Sequence, residues 1–171
     1  LTNYLLQQDM DLDTRKALLN NELEKYRGTL FRQTMFAHFE AETHRLAEAG
    51  EALTCEALNK LYYDLVAKYF APETVVDELI AFEWSRIPHF YRAFYVYQYA
   101  TGISAATALA KGILTEGEPA VARYRNFLAA GGSDYPINLL KAAGVDMTSP
   151  TPVIAALDHF GRLLDELEEL V

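Results

Sequence analysis

Apolar residues return at helical intervals along almost the whole chain. Leu19, Leu23, Tyr26 and Leu30 form one stripe, and Phe31, Met35, Phe39 and Leu46 form a second. Asp13 stands where a cap is needed and Gly50 where the run stops, so the pattern predicts one long helix, 13–49, with contacts on two sides. Gly28, inside it, is read as a point of close packing. Thr54 predicts the cap of a second helix through Phe70, ended by Pro72. Residues 73–82 read as a shorter helix, and "EWSRIP" breaks the pattern ahead of Pro88. A third long helix is expected from about His89 to Leu114. Glu118-Pro119 opens a fourth that stops at Gly131-Gly132. Ser133 is the expected cap of a short helix to Ala143, with Gly144 behind it. "DMTSPTP" reads as a rigid loop, after which Thr151 and Pro152 open the last helix, to about Leu170. The sequence carries no convincing strand, internal repeat or low-complexity tract. Short connections predict one helical unit over 1–171, an all-α multi-helix bundle.

Composition agrees with a globular domain: of 171 residues, 51% are hydrophobic and 23% charged. A net charge of -9 argues against nucleic acid or an anionic membrane as the main partner. Cys55 is the one cysteine, so no internal disulfide forms, and a reducing, cytoplasmic setting is expected. The start, "LTNYLLQQDMDLD", has neither a basic leader region nor an initiating Met, and reads as a piece of a longer protein. Ala93 to Ala110 contains no charge and touches the lower length limit of a membrane span. Its three tyrosines, Gln98 and the hydroxyls of Thr101, Ser104 and Thr107 fit a helix buried among helices better.

The histidines offer no metal site. His38, His44, His89 and His159 are followed four residues later by Glu42, Glu48, Ala93 and Leu163, so no pair of histidines shares a helix face. Glu40, His44 and Glu48 read as a solvated face. Phosphate-cradling loops, a Gly-x-Ser-x-Gly elbow and a dinucleotide fingerprint are absent from the sequence.

One stretch is unusual. "IPHFYRAFYVYQYATG" holds His89, Tyr91, Tyr95, Tyr97 and Tyr99 with Arg92 as its one charge. On a helix, His89 and Tyr97 nearly eclipse, and Tyr91, Tyr95 and Tyr99 make a second row. Two readings stay open. The rows are an aromatic core strip with each hydroxyl bonded to backbone, or they are donors lining a polar cleft. A phenol with a reference pKa of about 10 stays protonated at neutral pH, so it is a dependable donor to a developing oxyanion.

"FRQTMFAHFE", "IPHFYRAFYVYQYATGISAA" and "GGSDYPINLLKAAGVDMTSP", in that order, resemble the C-terminal segment of the oligoendopeptidase F branch of the thimet-oligopeptidase-like (M3) zinc metallopeptidases. The resemblance implies a helical, two-lobed, zincin-like fold around a channel that admits short peptides. It implies a zinc in the full-length enzyme, held by a His-Glu-x-x-His helix and a later Glu that precede a segment like "LTNYLLQQ". This chain is then expected to bind no metal, to be inactive alone, and to self-associate through the face left by the missing lobe. By the same resemblance, Tyr97 and His89 are catalytic, contacting the oxyanion and substrate, while Tyr95 and Tyr91 hold the peptide. Tyr135, in "GGSDYP", is a further candidate for substrate binding. Other branches of the family carry a second tyrosine seven residues before the one matching Tyr97; here that position is Phe90. The alternative reading is a non-catalytic helical domain that grips a ligand or protein partner with its aromatic helix.

Overall fold

A computed structural model of the chain describes residues 2–170. Helices account for nearly all of its regular structure, and no strand occurs among the described residues. Chain contacts form two compact groups. The first contains the described residues up to Leu30 and from Thr101 onward; the second is Phe31–Ala100.

The first unit contains α1 (Thr2–Leu5), α2 (Leu12–Tyr26), α6 (Glu118–Ala130), α7 (Pro136–Ala142) and α8 (Thr151–Glu168). Most of α5 (Tyr97–Glu116) also belongs to it. Helices α2 and α8 pack together, as do α6 and α7. Leu19, Leu23, Tyr26, Ile103, Ala156 and Leu163 supply the core. The Tyr26 hydroxyl shares a hydrogen bond with Thr107 Oγ1 at 2.5 Å, and its ring meets His159 edge-on, centroids 5.8 Å apart. Burial pushes the Tyr26 phenol up from 10.0 and the His159 imidazole down from 6.5. An Arg15–Glu166 ion pair joins α2 to α8.

The second unit contains α3 (Arg32–Glu48), α4 (Cys55–Phe70) and two 3₁₀ turns, Glu78–Arg86 and Pro88–Tyr91. Its core is Met35, Phe36, Phe39, Tyr62, Leu65, Val66, Ile87 and Val96. Phe39 is central: its ring meets Tyr62 edge-on with centroids 5.3 Å apart and lies 6.2 Å from Trp84. The Trp84 indole N–H donates to Asn59 Oδ1 at 2.8 Å, which satisfies the polar end of a large, partly buried side chain. Thr54 caps α4 as the sequence suggests, its hydroxyl accepting the Ala57 N–H at 3.2 Å.

Several boundaries differ from the sequence reading. The expected helix 13–49 is two α-helices joined by a π turn, Arg27–Phe31. Each apolar stripe therefore serves its own helix. The cap of α2 is Asp11, which has extended backbone and accepts the Thr14 N–H at 2.9 Å; Asp13 lies inside the first turn. Gly28 is not a close-packing point, since a Cβ there would meet nothing within 4 Å. The short helix expected at 73–82 is the 3₁₀ turn Glu78–Arg86, opened by Asp77, whose carboxylate accepts the Leu79 N–H. Tyr135, rather than Ser133, stands at the cap of α7, with Pro136 in its first turn. Gly144 follows α7 with φ +100°, and a Cβ there would come within 3.3 Å of the Arg123 side chain. In the loop beyond, the Lys141 ammonium and Thr148 hold the Asp146 carboxyl at about 2.

No helix among the described residues is long and apolar enough to cross a membrane.

Candidate functional site

The helix expected from His89 to Leu114 begins only at Tyr97. His89 lies in the Pro88–Tyr91 turn, and residues 92–96 are irregular. The His-Tyr and Tyr-Tyr helical rows therefore do not exist. The reason is local and visible. Phe94 adopts φ +56°, a left-handed conformation that breaks any helix and that a bulky residue rarely occupies. Its backbone N–H leaves the helical ladder and donates to Glu40 Oε1 at 2.7 Å. A carboxylate acceptor makes this a charge-assisted bond, stronger than the amide–carbonyl bond it replaces.

Glu40 is thus not part of a solvated face. It is only 5% exposed, on α3, one residue beyond core Phe39 and four beyond Phe36. His44, one turn further, is half-buried, with its ring 4.6 Å from that of Phe94 and tilted by 34°. The sequence did carry a signal for Glu40, because it repeats the Phe36 position at a spacing of four. Nothing in it marks Phe94, since left-handed backbone is ordinarily announced by Gly or Asn.

With the chain turned in this way, three side chains converge. The His89 and Tyr95 rings stack with centroids 5.9 Å apart and 16° between planes. Tyr99 meets His89 edge-on at 5.9 Å and Tyr95 at 5.5 Å. The Tyr99 hydroxyl lies 3.3 Å from His89 Nε2. Arg92 lies over the Tyr95 ring, its guanidinium carbon 4.9 Å from the centroid. The hydrogen bond with Tyr95 is the main influence raising the Tyr99 phenol above 10.0, so it stays protonated at neutral pH. The cluster offers phenolic O–H groups, an imidazole and a guanidinium, all able to donate to an oxygen acceptor.

Of the sequence-predicted residues, His89 and Tyr95 are brought together, joined by Tyr99 and Arg92. Tyr97 is half-exposed at the first residue of α5, and Tyr91 is 87% exposed. Tyr135 is in the first unit, 79% exposed at the entry to α7.

A second polar constellation in this unit is structural. Glu83, almost fully buried, accepts from Arg32 at 2.5 Å, from the Tyr62 hydroxyl at 2.7 Å and from Arg86. Burial pushes its carboxyl up, but these bonds and the two guanidinium charges outweigh that and hold it below 4.5. Burial and the Glu83 carboxylate together push the Tyr62 phenol far up.

The family model for peptidase family M3 matches residues 1–159. The chain belongs to peptidase family M3. It is 58% identical over its full length to oligopeptidase PepF of Bacillus subtilis, and covers 26% of that protein. It is 46% identical to group B oligopeptidase PepB of Streptococcus agalactiae, covering 28% of it. The crystal structure of oligoendopeptidase-F from Enterococcus faecium superposes with a TM-score of 0.95 at 49% identity, over 99% of this chain and 32% of that one. The chain therefore spans about a quarter to a third of the length of the M3 proteins it matches. Family M3 is zinc-dependent, yet among the described residues no group of three or more His, Cys, Asp or Glu side chains is arranged to hold a metal. No chemical step through the ion follows from these residues.

Proposed function

We propose that this chain forms one wall of the peptide-binding cleft of an M3 oligopeptidase. The whole protein hydrolyses short peptides, with a zinc ion held by residues outside this sequence. The observation that carries the reading is the convergence of His89, Tyr95, Tyr99 and Arg92 beside a loop that Glu40 fixes in a costly backbone conformation. Costly backbone and clustered donors are what a site pre-organised for a polar substrate requires.

Within that wall, Tyr97 and His89 donate to the carbonyl oxygen that gains negative charge. Tyr95 and Tyr91 hold the peptide backbone. Tyr135, on the first unit, is assigned a peptide contact on its own account, through an exposed phenol. The chain alone has no hydrolytic activity, acts in the cytoplasm as part of its parent, and self-associates through exposed apolar residues such as Val75, Leu79 and Phe82.

The test uses the full-length protein. Metal analysis is expected to give one zinc per chain, and a quenched fluorogenic peptide is expected to be cleaved while a folded protein is spared. Absence of both zinc and cleavage overturns the reading. Tight peptide binding without cleavage assigns the chain to a non-catalytic binding protein instead.

A further inference from the structure

We infer that Tyr99 is the positioning residue for His89: its hydroxyl holds Nε2 of that imidazole, and its ring keeps His89 and Tyr95 at a fixed spacing. The inference rests on the peptide-cleft reading and deepens it, because Tyr99 has no role of its own there. Three observations combine. The Tyr99 hydroxyl lies 3.3 Å from His89 Nε2, so it is committed to a side-chain nitrogen ten residues earlier. The Tyr99 ring stands edge-on to both partners, 5.9 Å from His89 and 5.5 Å from Tyr95, while those two rings stack on each other. Tyr99 is also built on firmer backbone than the rings it braces. It lies in the first turn of α5, its N–H donating at 3.2 Å to the carbonyl of fully buried Val96. His89 sits in the Pro88–Tyr91 turn and Tyr95 in the irregular residues 92–96.

A tyrosine that served the core alone would bond a backbone carbonyl. An imidazole has two ring nitrogens, and the bond made by one decides what the other can offer. With Nε2 spent on Tyr99, Nδ1 is the nitrogen left for the peptide carbonyl. The phenol suits either charge state of the ring: it donates to a bare Nε2 and accepts from an Nε2–H. In both cases Nδ1 carries a proton and stays a donor. Without the hydroxyl, the neutral ring is free to hold its proton on Nε2, and Nδ1 then has none to give. It is also free to turn, and a misplaced donor loses much of its value to a transition state.

The experiment uses the full-length protein and a quenched fluorogenic peptide. Tyr99→Phe keeps the bracing ring and removes the hydroxyl. It is expected to lower kcat about tenfold with KM within about twofold, because donation to the transition state is what is lost. The same change is then made in a His89→Phe background, which keeps a ring beside Tyr95 and has no ring nitrogen. There Tyr99→Phe is expected to lower the remaining kcat by less than about twofold, since the group it acts through is gone. A readout without substrate is labelling of His89 by diethyl pyrocarbonate, which acylates an unprotonated imidazole nitrogen. Labelling is expected to be about fivefold faster in Tyr99→Phe, the scale of one lost hydrogen bond. An equal fall of kcat in both backgrounds overturns the inference and makes Tyr99 a general support of the loop. Unchanged kcat, or a rise in KM alone, overturns it too. An unchanged labelling rate overturns the hold on Nε2. If the wild type cleaves no peptide, the peptidase reading fails, while the labelling rate still decides whether Tyr99 holds His89.

Discussion

The Tyr62 hydroxyl donates to Glu83 Oε2 at 2.7 Å inside the second unit, tying α4 to the 3₁₀ turn Glu78–Arg86. Arg32 and Arg86 take the other carboxylate oxygen. A buried carboxylate with this many donors tolerates its burial, but each donor then depends on it. Glu83→Ala is expected to destabilise the protein by about 3–5 kcal/mol, because Arg32 and the Tyr62 hydroxyl lose their partner. Tyr62→Phe removes one bond to a charged group and is expected to cost about 1.5–3 kcal/mol. Urea unfolding of both variants checks the order.

Stability is expected to hold a plateau between pH 6.5 and 10.0 and to decline on both sides. On the acid side, burial lowers the folded His159 below 6.5, so the unfolded chain takes up that proton first and stability falls as pH drops through this range. Glu83, held below 4.5 when folded, adds a second loss as pH falls through its depressed value. On the alkaline side, Tyr26 and Tyr62 are raised above 10.0 when folded. Their contribution is complete below that pH and is lost above it, as the unfolded chain releases phenolic protons first. A His159→Gln variant is expected to flatten the first acid step in unfolding free energy measured against pH.

Tyr97→Phe in the full-length protein is expected to lower kcat by about tenfold or more, the scale of one lost oxyanion donor, with the fold unchanged. Steady-state kinetics on a fluorogenic peptide measure it. Unchanged turnover assigns Tyr97 to packing.

Thr54→Ala is expected to cost about 1 kcal/mol through loss of the α4 cap, whereas Thr54→Asp is expected to be near neutral. Thermal unfolding separates the two.

The helices legible in the sequence are those whose ends carry their own signals. Thr54 and Pro72 bracket α4, Pro119 and Gly131 bracket α6, and Pro152 opens α8. Residues 78–96 were not legible, because their shape is imposed from elsewhere. Glu83 is held by Arg32 and Tyr62, and Phe94 by Glu40, each from another part of the chain. Periodicity alone extended a helix back to His89, since nothing local warns of left-handed backbone at a phenylalanine. The aromatic and histidine content of the site was readable, but its geometry was not. Arg92 and Glu40 enter through that long-range bond and the turn it fixes, and Tyr99 meets His89 and Tyr95 there rather than along a helical row.

Trp84, bonded to Asn59 and packed on Phe39, is the sequence's one indole, and it resides in the second unit. Its emission is therefore a private optical reporter for Phe31–Ala100. Far-ultraviolet dichroism sums the helical signal of both units. Overlaying the two melting curves from a single sample would reveal whether the halves of this chain come apart in concert or in succession.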